Sequence, residues 1–506
     1  MNQEGSSRTS PLEKGKACFN CRRRKVKCDA KRPICSPCSQ FIGGGLHDCE
    51  YTERGLAQSQ VLQEKISIIE SRIQEMEQPN QPRTSVGLHI PYQRPSLSSA
   101  STHQNPADVP KALFVRHAQK IGFFLNPHLF DGLSSGAAPI QLASPALLDT
   151  VYLWGAHLSR GDGDLAAASH EPRLLATALH SAASGLARAH TPVAVLHALQ
   201  AELLLAQYLF RAARRVEGAY HAGVAVSIAI GAGLHKIRSR GGRVRAADEL
   251  SPAVSAAEEG ERINAFWAVI ALNSCWLAAS PASVDYAAVD TPWPLDVEEY
   301  SEDSQLLPRQ SSATISAFLD GCPNTGVTVS LPALHAKAAI VFEQTTRLAV
   351  RCMESGIRTL SDEFNKLDNT IERLKSVLPA GSHAPARLLV VHTLAHAATI
   401  QLHRALARTA EASRTRARVA AGAIVALLHE TDVRALGCVD AILGTLWTAA
   451  CQVLVTELGR GSQQRAQCGE AVETLLDAMA VCGKDSRVIE LQLETARQNY
   501  DAVRSV

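Results

Sequence analysis

Six cysteines near the amino terminus constrain the fold of this chain more than any other feature. Their spacing is C-x2-C-x6-C-x6-C-x2-C-x10-C, and they are Cys18, Cys21, Cys28, Cys35, Cys38 and Cys49. A C-x2-C pair lets two thiolates hold one tetrahedral metal ion, because a tight turn brings the second sulfur back to the first. Four thiolates close one zinc site, so six thiolates suit two zinc ions only if two sulfurs are shared. The segment has few apolar side chains, so metal binding has to supply its folding free energy.

A small disulfide scaffold is the alternative interpretation of these cysteines. The first residues, Met1–Ser7, are polar and lack the apolar core of a secretory signal, so we expect a reducing compartment. Thiols at this spacing in such a compartment are typical of metal ligands. The other cysteines stand singly among apolar residues, as Cys275 and Cys451 do, and are predicted to be small core residues.

Positive charge is concentrated inside the cysteine segment. Residues 16–32 contain eight Lys or Arg and one acid, Asp29, which is a net charge of +7; since the whole chain carries +2, the remainder carries −5. Two zinc ions with six thiolates carry −2, which leaves the metal-loaded segment near +5. A phosphate backbone is the natural counter-surface for such a patch, although a basic run alone is also typical of a solvated face or a nuclear-import signal.

These residues resemble the fungal binuclear zinc cluster transcription factors. The resemblance covers about Lys16 to Tyr51 and includes the cysteine spacing, the basic run 22–27, Pro33 and the Cys49-x-Tyr51 ending. The last gap, with Gly43–Gly45 inside it, is longer than is usual in the family.

The resemblance implies two Zn²⁺ ions per chain and a role for each cysteine. Cys18 and Cys35 are the bridging thiolates. Cys21 and Cys28 complete one site, and Cys38 and Cys49 complete the other. His47 lies in the long last gap and is an alternative ligand to Cys49, which is favoured because Tyr51 follows it in the family's pattern.

The resemblance also implies how the segment binds double-stranded DNA. Each C-x2-C is expected to open a short helix whose free N–H groups stabilise the thiolates. A helix that begins near Cys21 would present residues 22–25 to the major groove. By resemblance, Lys25 and its neighbour Arg24 contact the bases of a CGG triplet, since donor-rich side chains suit the two major-groove acceptors of guanine. The other cations are assigned to phosphates, which position the module: Arg22, Arg23, Lys27 and Lys31.

An apolar ladder after the cysteines predicts a dimerisation element. Its intervals of four, three, four and three residues form a heptad seam of Leu62, Ile66, Ile69, Ile73 and Met76. Just over two heptads are marginal in isolation, so a homodimer would need support from the larger domain or from DNA. The alternative is an amphipathic helix packed on its own chain.

Changes in composition predict the remaining boundaries. Pro, Ser, Gln and Asn dominate the stretch before residue 111, and such a stretch cannot form a packed core. We expect a disordered tail at 1–15, a zinc cluster domain at 16–53, a linker at 54–61, a short coiled coil at 62–77, a disordered linker at 78–110 and a helical regulatory domain at 111–506.

Residues 111–506 predict a large all-α domain. They are rich in Ala and Leu, are interrupted by single Pro and Gly residues, and lack sustained period-two alternation. The segments 192–215, 217–237, 261–277, 331–353 and 388–414 are predicted helices. Residues 217–237 are apolar nearly all round, so we expect this helix at the centre of the core. Residues 238–260 and 300–327 are predicted surface loops.

Short motifs in this domain resemble the middle homology region of the same fungal regulators. They are Tyr220-His221, Gly233-Leu234-His235-Lys236, Glu261-Arg262, Phe266-Trp267-Ala268 and Thr291-Pro292-Trp293-Pro294. The resemblance implies regulation of the DNA-binding module through the transcription machinery or co-regulators, and it allows a small-molecule effector.

Taken together, these features predict a nuclear, zinc-dependent, sequence-specific transcription factor of RNA polymerase II genes. The alternative is a metabolite- or protein-binding module whose zinc cluster serves mainly import or partner contacts. We expect no enzyme, because a phosphate-binding glycine loop, an H-E-x-x-H helix and a nucleophile elbow are all missing from the sequence. We expect no membrane span, because no apolar stretch is long enough.

Overall fold

Helices joined by loops make up the described parts of this chain. The structure, a computed structural model, describes residues 16–32, 34–40, 49, 51, 67, 111–126, 143–160, 169–240, 250–278, 284–300, 309–322, 330–355, 362–379, 386–460 and 465–505. The chain divides into two compact units, Met1–Pro91 and Tyr92–Val506. Within the described residues every regular element is helical, which confirms the all-α class. The domain boundaries proposed above stay predictions.

In the part of the first unit that the structure describes, two short helices can be delimited, α1 (Phe19–Arg23) and α2 (Ser36–Ser39). The helices of the second unit, in the part that the structure describes, are α3 (Lys111–His117), α4 (Pro145–Ser159), α5 (Glu171–Gly185), α6 (Pro192–Arg211), α7 (Arg215–Gly231), α8 (Ala256–Trp276), α9 (Thr314–Leu319), α10 (Leu331–Ser355), α11 (Asp362–Val377), α12 (Ala386–Arg404), α13 (Glu411–Glu430), α14 (Ile442–Leu458), α15 (Arg465–Cys482) and α16 (Arg487–Arg504). The five residues of the heptad seam lie outside the described residues; within that stretch only Ser67 is described, as helical and exposed.

Local sequence signals explain where several helices begin. Thr191 caps α6, since its hydroxyl accepts a hydrogen bond from the backbone N–H of Ala194 at 3.2 Å, and Pro192 occupies the first turn. Ser144 caps α4 in the same way, again before a proline. A side-chain oxygen that accepts from an otherwise unpaired N–H stabilises a helix by about 1 kcal/mol, and proline is tolerated at the first helical position.

The core of the second unit lies between α6, α8, α10 and α12. Helix α10 packs along α12 and α8, and α6 packs on α7 and α4. The largest fully buried side chains include Trp154, Trp267, Trp447, Phe210 and Phe266. Each large apolar side chain removed from water stabilises the fold by about 2–3 kcal/mol. These side chains come from α4, α6, α8 and α14, so the buried core extends beyond the four central helices.

Helix α6 corrects the expectation that no apolar stretch is long enough to cross a membrane, because by length and composition it is the one helix of the described residues that could do so. In this structure, however, 78% of its most apolar window is buried inside the helical unit. Its apolar surface is therefore used by the protein core.

The prediction that residues 217–237 form the central helix is wrong. The helix is α7, which ends at Gly231, and it lies at the surface, with Val216 85% and Tyr220 67% exposed. Its buried face consists mostly of small residues, and a Cβ added at Gly218 would lie 2.7 Å from the ring of Phe210. Small residues allow α7 to pack closely on α6 through one face. Because these residues are also counted as apolar, the sequence of the segment looks apolar on all sides.

Other predicted boundaries also change. Residues 388–414 are not one helix, because α12 ends at Arg404 and α13 starts at Glu411. The predicted loops at 238–260 and 300–327 contain the first turn of α8 and the short helix α9. Boundaries are the weakest part of a periodicity argument, because the last turn of a helix and the loop after it share composition.

The motifs of residues 233–236, 266–268 and 291–294 meet in space. The backbone carbonyl of His235 accepts hydrogen bonds from the N–H groups of Asp290 at 2.9 Å and Thr291 at 3.2 Å. The indole of Trp267 donates to the carbonyl of Pro292 at 2.6 Å and stacks on Trp293 with ring centroids 4.3 Å apart. These motifs therefore have a structural role, which is to join α7, α8 and the segment that follows α8.

Thr291 is central to this junction, and its replacement by valine is expected to destabilise the helical unit by about 2 kcal/mol. The buried hydroxyl donates to the carbonyl of Leu234 and accepts from the N–H of Ile237 at 3.1 Å. Valine keeps the shape but leaves both backbone groups unpaired, and each such group costs about 1–3 kcal/mol. Urea unfolding followed by tryptophan fluorescence measures the change. Thr456→Val, which removes an exposed hydroxyl within α14, is the control, and equal midpoints for both variants would contradict the assignment.

Candidate metal centre and DNA interface

Each C-x2-C pair of the first unit stands at the start of a helix. Cys18 is the N-cap of α1, and its sulfur accepts a hydrogen bond from the N–H of Cys21 at 3.4 Å. Cys35 is the N-cap of α2, which has Pro37 in its first turn. The N–H groups at a helix start stabilise negative charge on nearby sulfur. The prediction that each C-x2-C opens a short helix is confirmed.

The six sulfur atoms form two groups of four that share two members. One group is Cys18, Cys21, Cys28 and Cys35, and the other is Cys18, Cys35, Cys38 and Cys49; in each group all sulfur atoms lie within 4.8 Å of one another. The Cys18 and Cys35 sulfurs, common to both groups, are 3.7 Å apart, and the Cys21 and Cys35 sulfurs are 3.6 Å apart. A tetrahedral zinc ion with Zn–S bonds of about 2.3 Å requires sulfurs about 3.8 Å apart. Sulfur separations of this size are typical of zinc–thiolate sites, so the two groups suit two zinc ions.

Electrostatics of the sulfur groups also favours a cation. Burial raises the pKa of the Cys18 thiol and of the Cys35 thiol above the usual range. Two neighbouring thiolates in such a space need a positive charge to remain ionised, and a divalent metal provides it. The chemistry of the donor set is that of a closed structural site, since no group of four leaves an obvious open position.

Polar contacts around the sulfurs come from residues that the sequence did not single out. The side-chain amide of Asn20 donates to the sulfur of Cys38 at 3.5 Å, and the N–H of Ala30 donates to Cys28 at 3.4 Å. Hydrogen bonds of this type orient metal ligands and tune their basicity. An amide one residue before Cys21 is the sequence signal that could have indicated the first of them.

Asp29 joins the two halves of the first unit. Its carboxylate accepts hydrogen bonds from the backbone N–H of Ser36 at 3.0 Å and from the Ser36 hydroxyl at 2.5 Å. These bonds lower the pKa of Asp29. In the sequence, Asp29 is notable only as the single acid of a basic segment. Its role in fixing the start of α2 could not be predicted, because Ser36 comes near it only in the folded chain.

Tyr51 closes the module from the other end. Its hydroxyl donates to the carbonyl of Lys31 at 3.0 Å and lies 3.9 Å from the Cys28 sulfur and 4.0 Å from the Cys49 sulfur. The guanidinium of Arg32 lies 4.9 Å from the centre of the tyrosine ring. Tyr51 thus connects the last cysteine to the loop that follows the third cysteine. His47, the alternative ligand, lies outside the described residues, whereas Cys49 lies in the second sulfur group.

The basic side chains of the first unit point away from the sulfurs. Those assigned to DNA are all exposed: Arg22, Arg23, Arg24, Lys25, Lys27 and Lys31. Arg22 also donates to the carbonyl of Ala17 at 3.1 Å. Because the sulfur groups fix α1 at its start, the cations at the end of α1 are held on a rigid base.

The prediction that residues 22–25 project from a helix beginning near Cys21 is wrong in its bounds. Helix α1 begins at Phe19 and ends at Arg23, and Lys25 has a left-handed backbone with φ of 53°. The N–H of Val26 bonds to the carbonyl of Cys21, and the N–H of Lys25 bonds to that of Arg22. These two hydrogen bonds together form the Schellman motif, in which the left-handed residue is usually glycine. The turn after α1, and not the helix itself, therefore sets the direction in which the Lys25 side chain extends.

Two shared-sulfur metal groups that hold a short helix with exposed cations define a zinc-dependent DNA-binding module. Comparison with known families agrees, because residues 16–56 match the fungal Zn(2)-Cys(6) binuclear cluster domain. The chain thus carries a domain of this family, which binds two zinc ions, and it is a zinc-cluster DNA-binding transcription factor. Neither a curated protein nor a solved structure gives a significant match to the chain.

Proposed function

We propose that this protein is a nuclear regulator that reads CGG-type half-sites in the control regions of genes transcribed by RNA polymerase II. The observation that carries the proposal is the pair of sulfur groups that share Cys18 and Cys35 and hold the basic helix α1. Proteins with this domain are in general nuclear transcription factors. A segment with so little apolar surface depends on metal for its fold, so zinc and DNA binding are linked.

The proposed ligand set assigns every cysteine of the module. Cys18 and Cys35 bridge the two zinc ions, because both sulfurs belong to both groups. The remaining ligands divide into Cys21 with Cys28 and Cys38 with Cys49. The 3.2 Å hydrogen bond from the Cys35 N–H to the Cys49 sulfur supports Cys49 over His47 as the last ligand.

The proposed DNA contacts divide into two kinds. Lys25 and Arg24 contact base edges, because they extend from the turn after α1, where the chain leaves the metal centre. Donor groups there can bond to the O6 and N7 acceptors of guanine. Arg22, Arg23, Lys27 and Lys31 contact phosphates and contribute affinity without sequence information.

Two copies of the module are proposed to act together through the heptad seam at 62–77. Binuclear cluster domains typically bind DNA as dimers, and a dimer would read two half-sites whose separation depends on the connector. The helical unit is proposed to regulate the module through co-regulators or an effector, as the resemblance of its motifs implies. Catalysis plays no part in this proposal.

A test of sequence reading uses full-length, zinc-loaded protein on a microarray of all short duplex sequences. We expect a consensus that contains CGG, and loss of all signal after chelation of zinc. A protein that binds DNA without sequence preference would favour the second candidate function, in which the zinc cluster serves import or partner contacts.

Replacement of Arg23 by glutamine is expected to weaken binding to every duplex by a similar factor. One phosphate contact is lost, so the slope of log affinity against log salt should become shallower by about one. Fluorescence anisotropy titrations between low and physiological salt measure the slope. Lys366→Gln in the helical unit, which removes an exposed cation paired with Asp320, is the matched control. An unchanged slope for Arg23→Gln would contradict the phosphate assignment.

A further inference from the structure

A cavity of about 200 Å³ lies inside the helical unit, between the loop after α3 and helices α6, α8, α10 and α12. Its walls are mainly apolar and include Phe124, Leu203, Trp267, Trp276 and Val390. A dry cavity of about 150 Å³ can hold one benzene ring. This cavity therefore has room for a ring or a short alkyl chain with one polar group attached.

One charged side chain in this cavity lacks a partner among the described residues. Arg387 is the second residue of α12, is largely surrounded by protein and lines the cavity. Its guanidinium makes no ion pair and no hydrogen bond with the described residues, and Asp296 and Glu298 affect it only through space. Burial lowers the pKa of Arg387, although the charges of Asp296 and Glu298 oppose this shift. An enclosed guanidinium without a partner is costly and calls for a compensating anion.

A second orphaned group lies in the same cavity. The Nε2 atom of His335, on α10, is buried and has no hydrogen-bond partner among the described residues. Burial, together with the nearby Arg387, lowers the pKa of His335 to about 4, so the ring is neutral at physiological pH. A neutral imidazole can donate or accept one hydrogen bond, which suits a polar ligand atom beside the guanidinium.

Three acids line the cavity wall, namely Asp296, Glu298 and Asp440. Asp440 accepts a hydrogen bond from the N–H of Ile442 at 3.0 Å, at the start of α14. Burial raises the pKa of Asp440 and of Asp296. Asp296 and the third wall acid, Glu298, act on Arg387 only through space, and neither makes a hydrogen bond or ion pair with it among the described residues. The start of α12 adds partial positive charge near Arg387, because the first N–H groups of a helix carry it. The guanidinium of Arg387, which has no hydrogen-bonded partner among the described residues, and the start of α12 together favour an anion over an amine at this point of the wall.

We propose that this cavity binds a small carboxylic acid with an apolar body. The carboxylate pairs with the guanidinium of Arg387, whose fork of N–H donors matches two carboxylate oxygens. The apolar body packs against Trp267 and Trp276, and the ring of His335 contributes one hydrogen bond. This site is separate from the proposed DNA-binding function. Failure of one proposal would leave the other unaffected, because the two are tested by different measurements.

The test uses the full-length, zinc-loaded protein and matched probes that share an apolar body and differ in the polar group, which is anionic, neutral or cationic. These are phenylacetate, 2-phenylacetamide and phenethylamine, and the six-carbon series of hexanoate, hexanamide and hexylamine. We expect the carboxylates to raise the unfolding temperature of the helical unit by about 2 °C or more at saturation and to change tryptophan fluorescence, since two indoles line the cavity. Equal shifts with the amides, larger shifts with the amines, or no shift with either carboxylate would overturn the proposal.

Substitution of Arg387 separates a ligand site from a structural charge. Arg387→Met should abolish the carboxylate response, yet leave the unfolding temperature of the free protein unchanged or higher, because an unpaired enclosed charge is removed. Arg387→Lys should keep the response but need about ten times more carboxylate for the same shift of the unfolding temperature, since the bidentate geometry is lost. Arg416→Met, which breaks partly exposed pairs with Asp368 and Glu372 outside the cavity, should respond as the unmodified protein does. A clearly lower unfolding temperature for Arg387→Met and Arg387→Lys, with the response retained, would assign Arg387 to structure.

Discussion

Replacing Cys35 by serine is expected to release both zinc ions and to abolish DNA binding. The Cys35 sulfur belongs to both groups of four, so its loss leaves each metal with three sulfurs. Each structural zinc site contributes on the order of 10 kcal/mol to folding, and the segment has little apolar surface to replace it. Native mass spectrometry or elemental analysis should find a fall from two zinc ions per chain to nearly none.

The matched comparison is Cys28→Ser, which removes a sulfur that belongs to one group only. This variant should retain about one zinc ion per chain, although its DNA affinity also falls. Cys322→Ser, an exposed thiol of the helical unit, should keep both metals and full DNA binding. Equal zinc loss in the Cys35 and Cys28 variants would contradict the bridging role.

Replacing Lys25 by glycine is expected to remove CGG preference while making the zinc module more stable. The left-handed backbone at Lys25 costs a residue with a Cβ about 1 kcal/mol, and glycine avoids this cost. The same change removes the proposed base contact, and such contacts contribute about 1–3 kcal/mol of discrimination. Binding titrations on CGG and scrambled duplexes measure specificity, and thermal unfolding of the zinc-loaded protein measures stability.

Lys25→Ala is the control that separates the two effects. It should lose the same preference for CGG but gain no stability, because alanine keeps the Cβ. If the glycine variant retains its preference for CGG over scrambled DNA, Lys25 does not read bases. If it is less stable than the alanine variant, the left-handed turn is not the source of strain.

The metal module shows how much a spacing rule can predict. Cysteine spacing alone indicated a shared-sulfur zinc site, because sulfur valence and tetrahedral geometry leave few alternatives. The direction of Lys25 could not be predicted in the same way, since a positive φ at lysine depends on the Schellman bonds that end α1. Asp29 was overlooked for a similar reason, because its partner Ser36 is brought near it only by folding around the sulfurs.

In the helical unit, composition predicted the class of fold but not the placement of its parts. The all-α class follows from helical periodicity, which is a local property. The position of a helix in the core depends on residue size as well as polarity. The buried face of α7 consists mostly of small residues, so its apolar pattern wrongly predicted a central helix. Arg387 carried no signal at all, since a single arginine at the start of an apolar helix is ordinary until its lack of partners is known.

The hydrogen bond from Tyr51 to the Lys31 carbonyl also has a consequence for sequence variation. The last cysteine is anchored by neighbours on its own side, through Tyr51 and through the N–H of Cys35, so its position does not depend on the route that the chain takes from Cys38. Insertions and deletions between those two cysteines can therefore accumulate at little cost. A long final spacer in this chain is compatible with an unaltered pair of metal sites.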